Sequence, residues 1–124
     1  MNLEIYKEHI LDLYKNPHNK GNLKNPTHEA SKKNSLCGDE IKIQLIIKKN
    51  RVSNVKFNGQ GCAISQASAS LLTDKIKELS VEQIKKLNKE DLLDMLKIPI
   101  SYTRIKCTLL PLEAVKGALE NARN

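Results

Sequence analysis

With 124 residues and 40% hydrophobic content, the chain is long enough to bury a core. It reads as one domain over 1–124, and its periodic apolar residues exclude wholesale disorder. The formal net charge of +7 points to an anionic partner, nucleic acid or an acidic protein surface. But the lysines are scattered, and three Tyr, one Phe and no Trp give no stacking platform for single strands, so no nucleic-acid partner is expected.

In chain order, Met1-Asn2-Leu3-Glu4 lacks the basic start and apolar run of a signal peptide. Residues 3–14 are predicted as an amphipathic helix, with Leu3, Tyr6, Ile10, Leu13 and Tyr14 in one stripe. Asn16-Pro17 stops it. Residues 16–35 read as a long irregular connection punctuated by turns at Asn16-Pro17, Lys20-Gly21-Asn22 and Asn25-Pro26. His9, His18 and His28 all lie in polar surroundings and are expected at the surface. Cys37-Gly38-Asp39 follows, a soft and a hard donor two positions apart.

Residues 40–48 alternate as a half-buried strand, with Ile41, Ile43, Leu45 and Ile47 inward and Ile46 as the exception. Lys49-Asn50 turns the chain into a second strand over 51–58, making an antiparallel hairpin. Gly59-Gln60-Gly61 then permits a sharp entry to an Ala/Ser-rich helix over 63–79. Cys62 stands at its start, where the aligned peptide dipoles favour an anion. A small buried core cysteine is the plainer alternative. Ser65, Ser68 and Ser70 read as close-packing residues. Ser80-Val81-Glu82-Gln83 is a capping box opening a short helix to Leu87. Asn88 caps another to about Lys97, burying Leu92, Leu93 and Leu96. Residues 100–106 are predicted to be extended. Thr108 is the expected N-cap of a last helix over 109–122, with Pro111 in its first turn.

The three cysteines stand 25 and 45 residues apart, an odd number with no CxxC. That argues against a secreted disulfide framework and against a thiol redox enzyme, and suits a reducing compartment. No window reaches the roughly 18 apolar residues of a membrane span. A soluble cytoplasmic protein is therefore expected. If the ends carrying Cys37, Cys62 and Cys107 gather at one sheet edge, Asp39 completes four donors. Arg104 and Lys106 lie near enough in sequence to offset their charge. Three unrelated core cysteines remain the alternative.

These residues carry a resemblance. Cys37-Gly38-Asp39, Gly59-Gln60-Gly61-Cys62-Ala63-Ile64-Ser65 with Ser68-Ala69-Ser70, Arg104-Ile105-Lys106-Cys107-Thr108-Leu109 and the Asn16-Pro17-His18-Asn19-Lys20-Gly21 segment resemble the U-type iron–sulfur assembly family of IscU, the NifU N-terminal domain and SufU. The resemblance implies an α+β fold, with a small antiparallel sheet against a layer of helices and a metal site at one end. It implies a protein of iron–sulfur cluster assembly that accepts sulfane sulfur from a cysteine desulfurase, then relays it or builds a [2Fe–2S] cluster. Recipient apoproteins or a downstream scaffold are its further partners. By position it assigns Cys37, Asp39, Cys62 and Cys107 to the metal and cluster site, for zinc or alternatively iron or a [2Fe–2S] cluster. Desulfurase docking falls to the asparagine–proline loop and the sheet edge.

The chain mixes the family's branches. Lys106 stands where IscU proteins carry histidine, and Ile98-Pro99-Ile100-Ser101-Tyr102 does not match their chaperone-read segment. The 45-residue spacing nevertheless leaves no room for the SufU insertion. Without that histidine, Asp39 becomes the expected fourth ligand. Cys37, beside Gly38, is the expected sulfur acceptor, with Cys107 as the alternative. A structural zinc module binding nucleic acid through basic residues is the second functional expectation.

Overall fold

The computed structural model describes residues 3–35, 38–97 and 99–122. Its elements run α1 (Leu3–Lys15), β1 (His28–Asn34), β2 (Asp39–Lys48), β3 (Arg51–Gln60), α2 (Ala63–Ile76), α3 (Val81–Lys85), α4 (Lys89–Leu96), a 3-10 turn (Tyr102–Arg104) and α5 (Ile105–Leu119). The three strands form one antiparallel sheet in the order β1-β2-β3. Asn34 pairs with Asp39, and Glu40 with Gln60, so the end of β1, the start of β2 and the end of β3 share one edge of the sheet.

The alternation in β2 and β3 orients the sheet. Ile41, Ile43, Leu45, Val55 and Phe57 are fully buried against Leu72 and Ile76 of α2 and Leu110 and Val115 of α5. The opposite face is polar. There Gln44 is buried by accepting from the Leu23 amide at 2.8 Å and donating to Glu29 at 3.0 Å. A bulge between Ile46 and Ile47 is the physical reason Ile46 breaks the alternation. A second, smaller cluster of Ile10, Leu13, Ala67 and Leu96 seats α1 and α4 on α2. The small side chains of α2 serve this central position, with Ser65, Ala67, Ser68, Ala69 and Ser70 all fully buried.

Several expectations are corrected. Residues 28–34 are an edge strand, not irregular chain, and the partners supplied by β2 outweigh their weak local signal. His28 is consequently half-buried, and burial lowers its pKa. The central helix ends at Ile76 instead of Leu79, and the short helix after it ends at Lys85. Tyr14 is 49% exposed, while Ile10 and Leu13 are the stripe's buried members among the described side chains. The side chains of Leu3 and Tyr6 lie outside the described set. Leu93 and Leu119 are only half-buried. Residues 102–104 form a 3-10 turn and the last helix already begins at Ile105, so the extended stretch over 100–106 is not found. Pro111 is thus the seventh helical residue, well beyond the first turn. Thr108 lies inside the helix, its hydroxyl donating back to the Arg104 carbonyl at 3.0 Å. Both expected caps are present. Ser80 and Gln83 form a reciprocal box, and Asn88 forms another with Asp91.

The 16–21 segment is tied to α2 and to the outer edge of β3. The His18 amide donates to Ser70 Oγ, His18 Nδ1 donates to Asp74 Oδ2 at 2.6 Å, and Asn19 reaches both Thr73 and Asp74. Gly21 and Phe57 are joined by a backbone hydrogen bond. His18 is therefore a structural partner, only half exposed, and more than a surface residue. Burial pushes Asp74 up. The hydrogen bonds from His18 and Asn19 and the charges of His18 and Lys77 outweigh it, so the carboxyl is held below its ordinary 3.8. Its contribution to stability is therefore present above that value and lost as pH falls through the lowered one. Asp74→Asn is expected to flatten the decline of the urea midpoint between pH 5 and 3 relative to the parent.

Candidate metal centre

Each donor is placed by a different element. Asp39 opens β2 and is only 3% exposed. Cys62 is the N-cap of α2, in extended backbone where the chain leaves β3 for the helix. Cys107 is the third residue of α5 and 3% exposed. One donor atom from each lies within 4.8 Å of the others. The Cys62 amide donates to Asp39 Oδ1 at 3.2 Å, and the Cys62 thiol faces Asp39 Oδ2 at 3.6 Å. The three face a cavity of about 560 Å³ lined also by Gly38, Gln60, Gly61 and Arg104.

A glycine is needed at two of these positions for different reasons. Gly38 has φ +75, a left-handed conformation that side chains disfavour, although nothing lies within 4 Å of an added Cβ. At Gly61 the constraint is space: an added Cβ would stand 2.4 Å from Ser65 Oγ and 2.9 Å from Asp39 Cγ. Gly61→Ala is therefore expected to push the Asp39 carboxylate off Cys62. Metal affinity should fall about 10–100-fold, as when a ligand's support is lost, in competition with a chromophoric chelator.

The donor set suits a cation. Two sulfurs and a carboxylate match borderline-soft ions such as zinc. Asp39 makes no ion pair among the described residues, and a buried carboxylate without a counter-charge is costly. Arg104 lines the cavity as expected from sequence. Lys106 does not: it borders a neighbouring groove with Lys33, Asn34, Ser35, Leu110 and Glu113. Cys37, the expected acceptor and fourth donor, lies outside the described residues. Of the expected cluster, the structure therefore brings together Asp39, Cys62 and Cys107. It also adds Gln60 and Gly61 to the lining, which could have been found from the need to pass β3 closely by Asp39.

No helix among the described residues is long and apolar enough to cross a membrane. A family model described as the NifU-like N-terminal domain matches residues 5–124. The zinc-dependent sulfurtransferase SufU of Bacillus subtilis is 40% identical over 85 residues, 68% of this chain and 57% of that protein. The match thus spans little more than half of that relative. The iron-sulfur cluster assembly scaffold protein IscU of Thermotoga maritima is 34% identical over 132 residues, covering 94% of this chain and 93% of that one. Among solved structures, a chain from Fervidobacterium islandicum, described as an iron-sulfur cluster assembly scaffold for the SUF system, superposes with a TM-score of 0.78. It has 27% identity and covers 96% of this chain and 99% of that one. Together with the three-stranded sheet and the clustered Asp39, Cys62 and Cys107, these matches show that the chain belongs to the NifU-like N-terminal domain family of U-type proteins.

Proposed function

We propose that the protein acts in iron–sulfur cluster assembly, receiving sulfane sulfur from a cysteine desulfurase at a site of Cys37, Asp39, Cys62 and Cys107. The observation that carries this reading is the convergence of two cysteine sulfurs and a buried carboxylate on one cavity, in a chain related to SufU and IscU. Gly38, bonded to Cys37, lines the same cavity, which favours Cys37 as the fourth donor. Zinc is the preferred occupant, since it accepts both cysteine sulfur and carboxylate oxygen in tetrahedral four-coordination. Bound there, it would hold the thiolates deprotonated and protected from oxidation.

The chain's own residues then divide the work. Asp39 and Cys62 form the fixed wall, linked by the Cys62 amide. Arg104 places a positive charge on the cavity for incoming anionic sulfur. The Cys37 thiolate attacks the terminal sulfur of the desulfurase persulfide. A sulfur–sulfur bond forms at Cys37 as the donor's bond breaks, and the desulfurase cysteine leaves as thiolate, with no net oxidation or reduction.

The alternative of a zinc module that binds nucleic acid draws no support from the geometry. Phe57 is fully buried, and the exposed Tyr14 and Tyr102 stand on separate elements. The test is a pulse with a persulfide-loaded cysteine desulfurase, followed by mass mapping. A mass gain of one sulfur on Cys37 is expected. Sulfur on none of the three cysteines would refute the proposal, and sulfur first on Cys107 would reassign the acceptor.

A further inference from the structure

We propose that the outer edge of β1 docks an acidic extended segment of a partner protein, which joins the sheet as a fourth strand at Ser31 and Lys33. Its relation to the cavity rests on the reading above, but the edge itself does not.

The ladder decides which backbone groups are free. In an antiparallel pair, successive residues send both backbone groups alternately to one neighbour and to the other. Phe57 turns both of its groups away from β2, the amide to the Asn19 carbonyl and the carbonyl to the Gly21 amide. Its register partner Ile43 therefore bonds to β1 at Ala30, and Ile41 bonds to β1 at Lys32. The intervening Ser31 and Lys33 turn their amides and carbonyls outward. Glu29 has the same parity, and its carbonyl accepts from Asn121 Nδ2 at 2.9 Å.

The two outer edges of the sheet are finished differently. That of β3 is closed at Phe57 by the 16–21 segment, with Lys20 in a parallel bridge. That of β1 is closed at its start, by Asn121 on Glu29 and by a bridge between His28 and Ala122. Further along, Ser31, Lys32 and Lys33 are exposed. No hydrogen bond from a described residue reaches the outward groups of Ser31 or Lys33.

Charge selects the occupant. Lys32 and Lys33 stand on opposite faces of β1, and Lys106 borders the groove that continues its edge, with Glu113 as the acidic residue there. None of these lysines makes an ion pair among the described residues, including Lys33 with its register partner Glu40. Lysines on an open edge repel a basic strand. They therefore disfavour a second copy of β1, which would set lysine against lysine, and attract an acidic strand. Strand addition takes its affinity from main-chain bonds and its selectivity from the flanking side chains. The edge also leads to the metal centre, since Asn34 is in register with Asp39 and Lys106 precedes Cys107. A strand docked at Ser31 and Lys33 continues to the mouth of the cavity.

The test titrates the isotope-labelled full chain with a hexapeptide of alternating Glu and Val and follows amide hydrogen exchange by NMR. Exchange at Ser31 and Lys33 is expected to slow at least about 10-fold, while the Lys32 amide, already bonded to β2, changes little. The same peptide N-methylated at alternate residues keeps its charges but loses donors, and should bind about 10-fold more weakly. Ser31→Pro removes an outward N–H and leaves the β1–β2 ladder whole, so affinity should fall about 10-fold with melting near that of the parent. Protection of both amides in the parent upholds the proposal even if Ser31→Pro folds poorly. No binding, binding without that protection, or equal binding of a Lys/Val peptide would overturn it. So would a dimer of the free chain that Ser31→Pro dissociates, because the edge would then join two copies. A protein that binds the peptide but takes no sulfur in the desulfurase pulse keeps the edge and removes the assembly reading. One that takes sulfur while both amides stay unprotected does the reverse.

Discussion

Cys62→Ala is expected to lower zinc affinity by at least about 100-fold while leaving the metal-free fold nearly intact. The two effects separate because Cys62 contributes to the site in two ways. Its sulfur is one of the converging donors, and its backbone amide holds Asp39 Oδ1. Alanine removes the first and keeps the second. The side chain is only half-buried at the N-cap of α2 and makes no side-chain capping bond there, so its removal forfeits little packing. With chelator present, melting should shift by no more than the few tenths of a kcal/mol typical of such positions. With zinc present, the parent should melt higher than the variant, because binding to the folded state adds its free energy to folding. Chelator competition and melting with and without zinc check both halves. Unchanged affinity in the variant would remove Cys62 from the donor set.

Gly59→Ala should have the opposite profile, a large loss of stability whether or not metal is present. Gly59 pairs with Ile41 and has φ +128. A Cβ there would stand 2.0 Å from the Glu40 carbonyl oxygen and 3.1 Å from Ile41 Cα, so the obstacle is backbone on both counts. No rotamer change relieves it. Left-handed strain and overpacking each cost about 1–3 kcal/mol, so a combined loss of roughly 3–5 kcal/mol is expected. For a chain of this size that is a fall of roughly 10–20 °C in Tm. Gly38→Ala is the control. It has a left-handed φ but open space around it, so only the backbone penalty of about 1–2 kcal/mol applies. If both variants melted alike, the close approach of β3 to β2 at Glu40 would be wrong. The distinction matters for function, since this end of the β2–β3 ladder carries Asp39 into the cavity and leads to Cys62.

The parts legible in the sequence were those whose signals are local. The alternation of Ile41, Ile43 and Leu45 and the turn at Lys49-Asn50 are properties of adjacent residues, and the hairpin follows from them. The Ser80 and Asn88 caps were legible for the same reason. β1 was not, because His-Glu-Ala-Ser-Lys-Lys-Asn has neither β-branched residues nor alternation. It becomes a strand only when β2 offers its edge. The start of α5 was misplaced because Pro111 reads as a first-turn residue. Seen alone, it gives no hint that two further helical turns precede it and that hydroxyls of Thr108 and Ser68 brace them.

In the site, motif positions anticipated the grouping of Asp39, Cys62 and Cys107, while their packing was invisible. Cys62 at a helix start and Asp39 at a strand start were readable from glycine placement and periodicity. The hydrogen bond between them, 23 residues apart in sequence, and the space that Gly61 leaves for Asp39 depend on how the chain folds back on itself. The same limit separated Arg104 from Lys106. They are two positions apart and equally basic in sequence, yet in the folded chain only Arg104 lines the cavity.

X-ray absorption at the zinc edge of the zinc-loaded protein reads the donor shell of the cavity at Asp39, Cys62 and Cys107. The predicted result is one zinc per chain in a four-coordinate shell of three sulfurs at about 2.3 Å and one oxygen at about 2.0–2.2 Å. Asp39→Ala should change the oxygen contribution while leaving the sulfur shell. A shell made only of oxygen and nitrogen, or a protein that retains no zinc after gel filtration, would mean that these cysteines do not form a zinc site.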